Sequence, residues 1–237
     1  SIEEALKRAQ ALEQQGYLFS YDMLGEAART MEDAERYFLA YQQAIAAVGA
    51  ATQGKTSFNG SGVSVKLSAL HPRYEVAQYE TVVPFISERL LQLALQAKSL
   101  NIGLTVDAEE AERLDLSLDI IAKVFSDPQL EGWEGFGLAV QSYQNRAYLL
   151  IDWLAELAQR HKRRLMIRLI KGAYWDAEIK NAQVKGWEGY PVFTRKTATD
   201  VSFLACAKKI LSYPDAFYPA FATHNAYSLA AVLEMAG

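Results

Sequence analysis

Apolar residues recur at the three- and four-residue spacing of amphipathic helices over 2–15, 27–48, 79–99, 110–125, 145–160, 173–185, 197–212 and 226–236. Between most of these lie short apolar runs rich in β-formers: 17–24, 62–69, 102–106, 135–140, 165–170 and 217–222. Strands that alternate with helices predict a parallel sheet, because parallel neighbours need crossover connections. Proline placement agrees: Pro84 falls near the start of one helical pattern, and Pro214 follows the pattern that ends near Leu211. The chain shows no linker, repeat or low-complexity stretch. Residues 1–16 read as an N-terminal helical lead-in and 17–237 as one α/β domain.

The ends of the strand-like runs choose between an open doubly wound sheet and a closed barrel. In an open sheet functional residues gather near one switch point, whereas in a barrel every strand end faces one mouth. Here nearly every run ends in chemistry: Asp22 and Glu26, Lys66 and Ser68, Asp107 and Glu109, Gln141, Arg168 and Lys171, His224 and Asn225. A distorted TIM-like (β/α)8 barrel is expected, with six of its eight strands in this chain. The start without Met inside a helical pattern and the stop at Gly237 after another read as a C-terminally incomplete fragment.

Composition narrows the partners. The 237 residues are 51% apolar and carry a net charge of −4, so a sizeable core is available and no global positive field draws nucleic acid. The lone Cys206 forms no internal disulfide, which fits a reducing, cytoplasmic setting. The most apolar stretch, 147–158, is shorter than the ~18 residues of a membrane span and contains Asp152 and Glu156.

Several motifs are set aside on context. Gly49-Ala-Ala-Thr-Gln-Gly54-Lys55-Thr56 fits the P-loop pattern, but a helix precedes it and a strand follows, the reverse of what phosphate binding needs. No G-x-G-x-x-G follows a strand, and the Asn59 sequon reads as a turn. The basic run 160–164 ends a helix, where the macrodipole favours cations, so it gives no support for DNA binding. Three histidines and one cysteine argue against a metal cage.

Lys66 is more informative. Alternation in Val63–Ser68 puts it opposite Val63, Val65 and Leu67, the face that packs on helices, so it points inward. An inward charge needs a counter-charge, and Asp107 at the next strand end is the natural one; the bland alternative is a structural ion pair. Arg168, with Met166 and Ile170 at the same parity, makes a second inward cation, and Lys171 follows. Tyr174 and Trp175, then Trp187, Tyr190 and Phe193, lead into Thr194-Arg195-Lys196. Rings beside cations suit a stacked, phosphate-bearing heteroaromatic cofactor, although each ring taken singly is as well explained as core.

The segments GVSVKLSALHPRYE (62–75), TVDAEEAERLDLSLD (105–119), RLMIRLIKGAYWDAEIK (164–180), GYPVFTRKTATDVSFLACAKK (189–209) and FATHNAYSLAA (221–231) resemble the proline dehydrogenase domain of the bifunctional proline utilization A flavoenzymes. The resemblance implies a distorted barrel that holds FAD, oxidises L-proline to Δ1-pyrroline-5-carboxylate by hydride transfer to flavin N5, and passes electrons to a membrane quinone. It further implies an aldehyde dehydrogenase domain on the same parent chain and peripheral membrane association during quinone reduction. By the same resemblance Arg168 lies near flavin N5 and Gln141 at the pyrimidine side. Lys171, Gly172, Ala173, Trp175, Thr194, Arg195, Lys196, Thr223, His224 and Asn225 hold the rest of the cofactor. Lys66, Asp107 and Tyr174 line the proline site, and Glu26 belongs to a gate over it. The paired arginines that clamp the substrate carboxylate in the family are not matched in 1–237, so the resemblance leaves the activity of this stretch alone in question. Two other readings compete: a barrel lyase with Lys66 or Lys171 as Schiff base, which needs a lowered lysine pKa, and a non-catalytic assembly segment docking through the helices at 2–15 and 27–48.

Overall fold

The computed structural model describes residues 2–23, 25–52 and 54–237. Its helices are α1 (Ile2–Glu13), α2 (Met31–Ala51), α3 (Tyr79–Ser99), α4 (Leu114–Phe125), α5 (Ala147–Arg160), α6 (Trp175–Val184), α7 (Lys196–Leu211) and α8 (Ala226–Ala236). Its strands are β1 (Ser20–Asp22), β2 (Gly62–Val65), β3 (Leu104–Val106), β4 (Phe136–Gln141), β5 (Leu165–Ile170) and β6 (Phe217–Phe221). The strands stand in chain order in a six-stranded sheet. The pairs β1–β2, β2–β3 and β5–β6 are parallel, with Asp22 opposite Ser64, Ser64 opposite Thr105 and Arg168 opposite Ala220. The fold is α/β.

The chain packs as two compact units. The first holds the chain through Asp107 together with Asp115–Gly137; the second holds Ala108–Leu114 and Leu138–Gly237. In the first, Val63, Val65 and Leu67 are buried, and α2 packs on both β2 and α3. In the second, Leu165, Ile167 and Leu169 are buried while Met166, Arg168 and Ile170 are half-buried, and α7 packs on β5, β6, α5 and α8. The period-two alternation read from the sequence is therefore present in β5.

Where boundaries differ from the sequence reading, local chemistry explains it. The helix expected over 27–48 starts at Met31, because Thr30 caps it in a reciprocal capping box with Asp33. Gly25 and Ala27 hold positive φ (143° and 53°), which no helix start tolerates. The helix then runs past Gly49 to Ala51, so the P-loop-like pattern straddles a helix end; its Gln53, like Leu24 of the first strand-like run and Ser1 of the lead-in, lies outside the described residues. The run 62–69 is a strand only to Val65 and turns into a 3-10 segment at Leu67–Ala69. There Ser68 is diverted to the β1–α2 loop: its Oγ accepts from Ala27 N at 3.1 Å and its carbonyl from Ala28 N at 2.9 Å. No helix among the described residues is long and apolar enough to cross a membrane.

Candidate active site

The first unit gathers charge at the ends of β1, β2 and β3. Lys66 Nζ donates to Asp22 Oδ2 at 2.8 Å and to Asp107 Oδ2 at 3.0 Å. The Lys66 and Asp107 side chains are 15% and 17% exposed, against 43% for Asp22, so one ammonium faces two carboxylates at the edge of the solvent. Burial pulls the Lys66 pKa down, but hydrogen bonds and charge from Asp22 and Asp107 outweigh it, and the group ends above the ordinary lysine range. The pairing of Lys66 with Asp107 follows the sequence reading; the part of Asp22 was missed. Tyr41, from α2, accepts a hydrogen bond from Lys66 N at 3.1 Å. Glu26 lies exposed on the loop that Ser68 ties down, between Gly25, whose missing Cβ makes room for the Tyr37 ring, and Ala27.

The second unit contains a cleft of about 780 Å³ lined by Ile170, Lys171, Gly172, Lys196, Phe221, Ala222, Thr223, His224 and Asn225. Six of the residues assigned to the cofactor from the sequence meet there, drawn from the end of β5, the start of α7 and the β6–α8 turn. Asp200, one turn into α7, binds Lys171 Nζ at 2.6 Å and Lys196 Nζ at 2.8 Å, and these two ammonium groups hold its carboxyl below the usual range. Asp200 was missed as well. Its spacing to Lys196 was legible as an i, i+4 pair, but its bond to Lys171 was not.

Around the cleft, backbone groups are braced by side chains. Gln141 is buried; its Oε1 accepts from Ala173 N at 3.0 Å and its Nε2 donates to Glu109 O at 2.8 Å. Each end of that amide has capacity for one more hydrogen bond. Tyr143 Oη accepts from Tyr174 N at 3.2 Å, and Gly172, at φ 150°, lies so close to the Tyr143 ring that a Cβ would come within 2.3 Å. Trp175 Nε1 donates to Phe193 O at 3.0 Å, which ties the start of α6 to the segment before α7. Thr194 and Arg195 lie exposed just before α7, with Arg195 as its N-cap. Thr223 Oγ1 accepts from Asn225 N, and Asn225 caps α8 by accepting from Ser228 N at 2.9 Å, so both shape the turn that lines the cleft. Arg168 is half-buried on the β5 face that also carries Ile170, a lining residue. Glu178 is buried in α6 and accepts from Ala111 N at 2.6 Å; burial first, and then Glu110 and Glu112, raise its pKa against that bond.

The donor set fits a ligand with an anionic backbone and an apolar portion: two ammonium groups, an imidazole, a hydroxyl and a helix-capping turn stand beside Ile170, Phe221 and Ala222. A cleft of this size lies within the roughly 300–1,000 Å³ of small-molecule and cofactor sites.

The proline dehydrogenase family matches residues 5–237. The chain is 56% identical over its whole length to the bifunctional protein PutA of Salmonella typhimurium, spanning 18% of that protein, and 49% identical to the same protein of Rhizobium meliloti, spanning 19%. Among solved structures, a variant of proline utilization A from Bradyrhizobium japonicum superposes with a TM-score of 0.93 at 52% identity, over all of this chain and 24% of the other. The Bdellovibrio bacteriovorus protein inactivated by N-propargylglycine reaches the same TM-score at 27% identity, over all of this chain and 26% of its own. The chain spans about a fifth of the curated relatives, and within that span it belongs to the proline dehydrogenase family.

Proposed function

We propose that this chain is the FAD-binding, L-proline-oxidising part of a bifunctional protein, with Δ1-pyrroline-5-carboxylate as product. The observation that carries the reading is the convergence of Lys171, Gly172, Lys196, Thr223, His224 and Asn225 on one cleft in a chain of this family. Bound FAD supplies the hydride acceptor. Lys171 and Lys196 would hold its anionic part, and Asp200 fixes their ammonium groups. Gln141 would offer the cofactor the remaining hydrogen-bonding capacity of its amide, and Arg168 would add positive charge to its surroundings. Ala173, Trp175, Thr194 and Arg195 support the same ligand from the segments flanking α6 and α7.

Lys66, Asp107 and Tyr174 serve the substrate. Oxidation of proline needs the ring ammonium to lose a proton to solvent, after which the freed nitrogen lone pair forms the new C=N bond as a hydride leaves the adjacent ring carbon for the acceptor. The protein's task is to orient the ring and exclude competing reactions. Glu26, on a loop anchored by Ser68, gates access. Electrons pass to a membrane quinone through peripheral association of an otherwise cytoplasmic protein, and the product goes to an aldehyde dehydrogenase domain of the parent chain.

A Schiff base at Lys66 would need a lowered lysine pKa, whereas the Asp22 and Asp107 carboxylates raise it. The test is FAD retention after gel filtration. Wild type should stay yellow, and Lys171→Met with Lys196→Met should lose most of the colour while keeping its far-ultraviolet spectrum. A wild-type protein that remains colourless after incubation with FAD refutes the proposal.

A further inference from the structure

Tyr41 is among the most buried side chains of the first unit, at 1% exposure, and comes from α2, a helix to which the sequence reading gave no chemistry. Its Oη stands 3.1 Å from the backbone N of Lys66. The last registered pair of the β1–β2 ladder is Asp22 with Ser64, two residues before Lys66, and beyond it the phenol takes up the strand's amide. Lys66 sits at the joint where β2 gives way to the 3-10 segment, in an extended conformation (φ −101°, ψ 129°), and its carbonyl accepts from Ala69 N at 3.2 Å. Its main chain is thus fixed on one side by the turn and on the other by Tyr41, while its ammonium is held between Asp22 and Asp107.

We infer that Tyr41 is a positioning residue for Lys66, setting through the backbone amide where the ammonium stands in the substrate site. The inference rests on the proposal that Lys66 lines that site. A backbone amide left without an acceptor in the core is costly, and the joint can relieve the cost by turning the peptide, which swings the lysine away from its carboxylates. Tyr41→Phe removes one oxygen and leaves the ring's packing in place. A displaced ammonium weakens substrate binding before and during the reaction alike, so KM rises while kcat changes little.

The experiment is steady-state proline oxidation by the full-length, FAD-loaded protein, with variants matched for flavin content. Tyr41→Phe should raise the KM for proline by about tenfold, the equivalent of about 1.4 kcal/mol, with kcat within about twofold. Ile45→Val, one turn along the same buried face of α2, should lower thermal stability and leave KM at the wild-type value. Adding Tyr41→Phe to Lys66→Met should change nothing further, since both act through one ammonium. If Lys66→Met raises KM and Tyr41→Phe does not, or if Ile45→Val raises it as much as Tyr41→Phe, the positioning role is wrong and the site stands. If Lys66→Met leaves KM unchanged, the assignment of Lys66 to the substrate site falls, and the role of Tyr41 falls with it.

Discussion

Lys66 keeps its charge across the working pH range because two carboxylates hold it. Its folded pKa is raised, so its contribution to stability is complete below the ordinary lysine value of about 10.4 and is lost only as pH climbs through the higher folded value. Asp107→Asn should therefore lower stability by roughly 1.5–3 kcal/mol, less than the ~3–5 kcal/mol of a fully buried pair, since Asp22 remains. Thermal unfolding at neutral and at mildly alkaline pH should give the same difference between variant and wild type. Gly172→Ala tests a second single position: a Cβ there meets the Tyr143 ring at 2.3 Å, and φ is 150°. It should cost on the order of 1–3 kcal/mol and weaken FAD retention, both read from Tm and absorbance of the same sample. Alternation alone made Lys66 and Arg168 legible as cations opposite the buried Val63, Val65 and Leu67 and the buried Leu165, Ile167 and Leu169. The Asp200 bond to Lys171, the Tyr41 contact and the Asp22 contact were not, because each depends on which helix or strand end lies against which, a matter of tertiary packing that no local spacing encodes.

At the scale of elements, α3 and α8 fall where the apolar periodicity puts them, and the strand ends carry the expected polar groups. The departures occur where a side chain competes with the backbone: Thr30 starts α2 late, and Ser68 bends the chain after β2 to hold the β1–α2 loop. Glu178 shows the same competition inside the second unit. Its carboxylate leaves α6 to accept from Ala111 N, so it ties the segment 108–114 to α6, and burial raises its pKa. An acid with a raised folded pKa favours the folded state at low pH and costs stability as pH rises from its unfolded value, about 4.3, through the folded one. Glu178→Gln keeps an acceptor for Ala111 and removes that cost. It should match wild type near pH 4 and exceed it in Tm at neutral pH, whereas Glu178→Ala, which leaves the amide bare, should fall below wild type by roughly 1–3 kcal/mol. Equal pH profiles for wild type and Glu178→Gln would show that the carboxyl is ionised freely in the fold.

For the molecule as a whole, strands in chain order, parallel in the β1–β2, β2–β3 and β5–β6 pairs and each followed by a helix, are the arrangement a (β/α)8 barrel requires, and family membership agrees with it. Each unit gathers charged groups of its own: the cluster on Lys66 in the first, the cleft bounded by Lys171 and Lys196 in the second. The division of labour proposed for them, substrate and cofactor, is tested most directly by adding L-proline anaerobically to the FAD-loaded, full-length protein and following the visible flavin absorbance. The band should bleach on addition of L-proline, with Δ1-pyrroline-5-carboxylate formed in equal amount, and Lys66→Met should bleach only at far higher proline concentration. A flavin band that stays unchanged in saturating L-proline would contradict it.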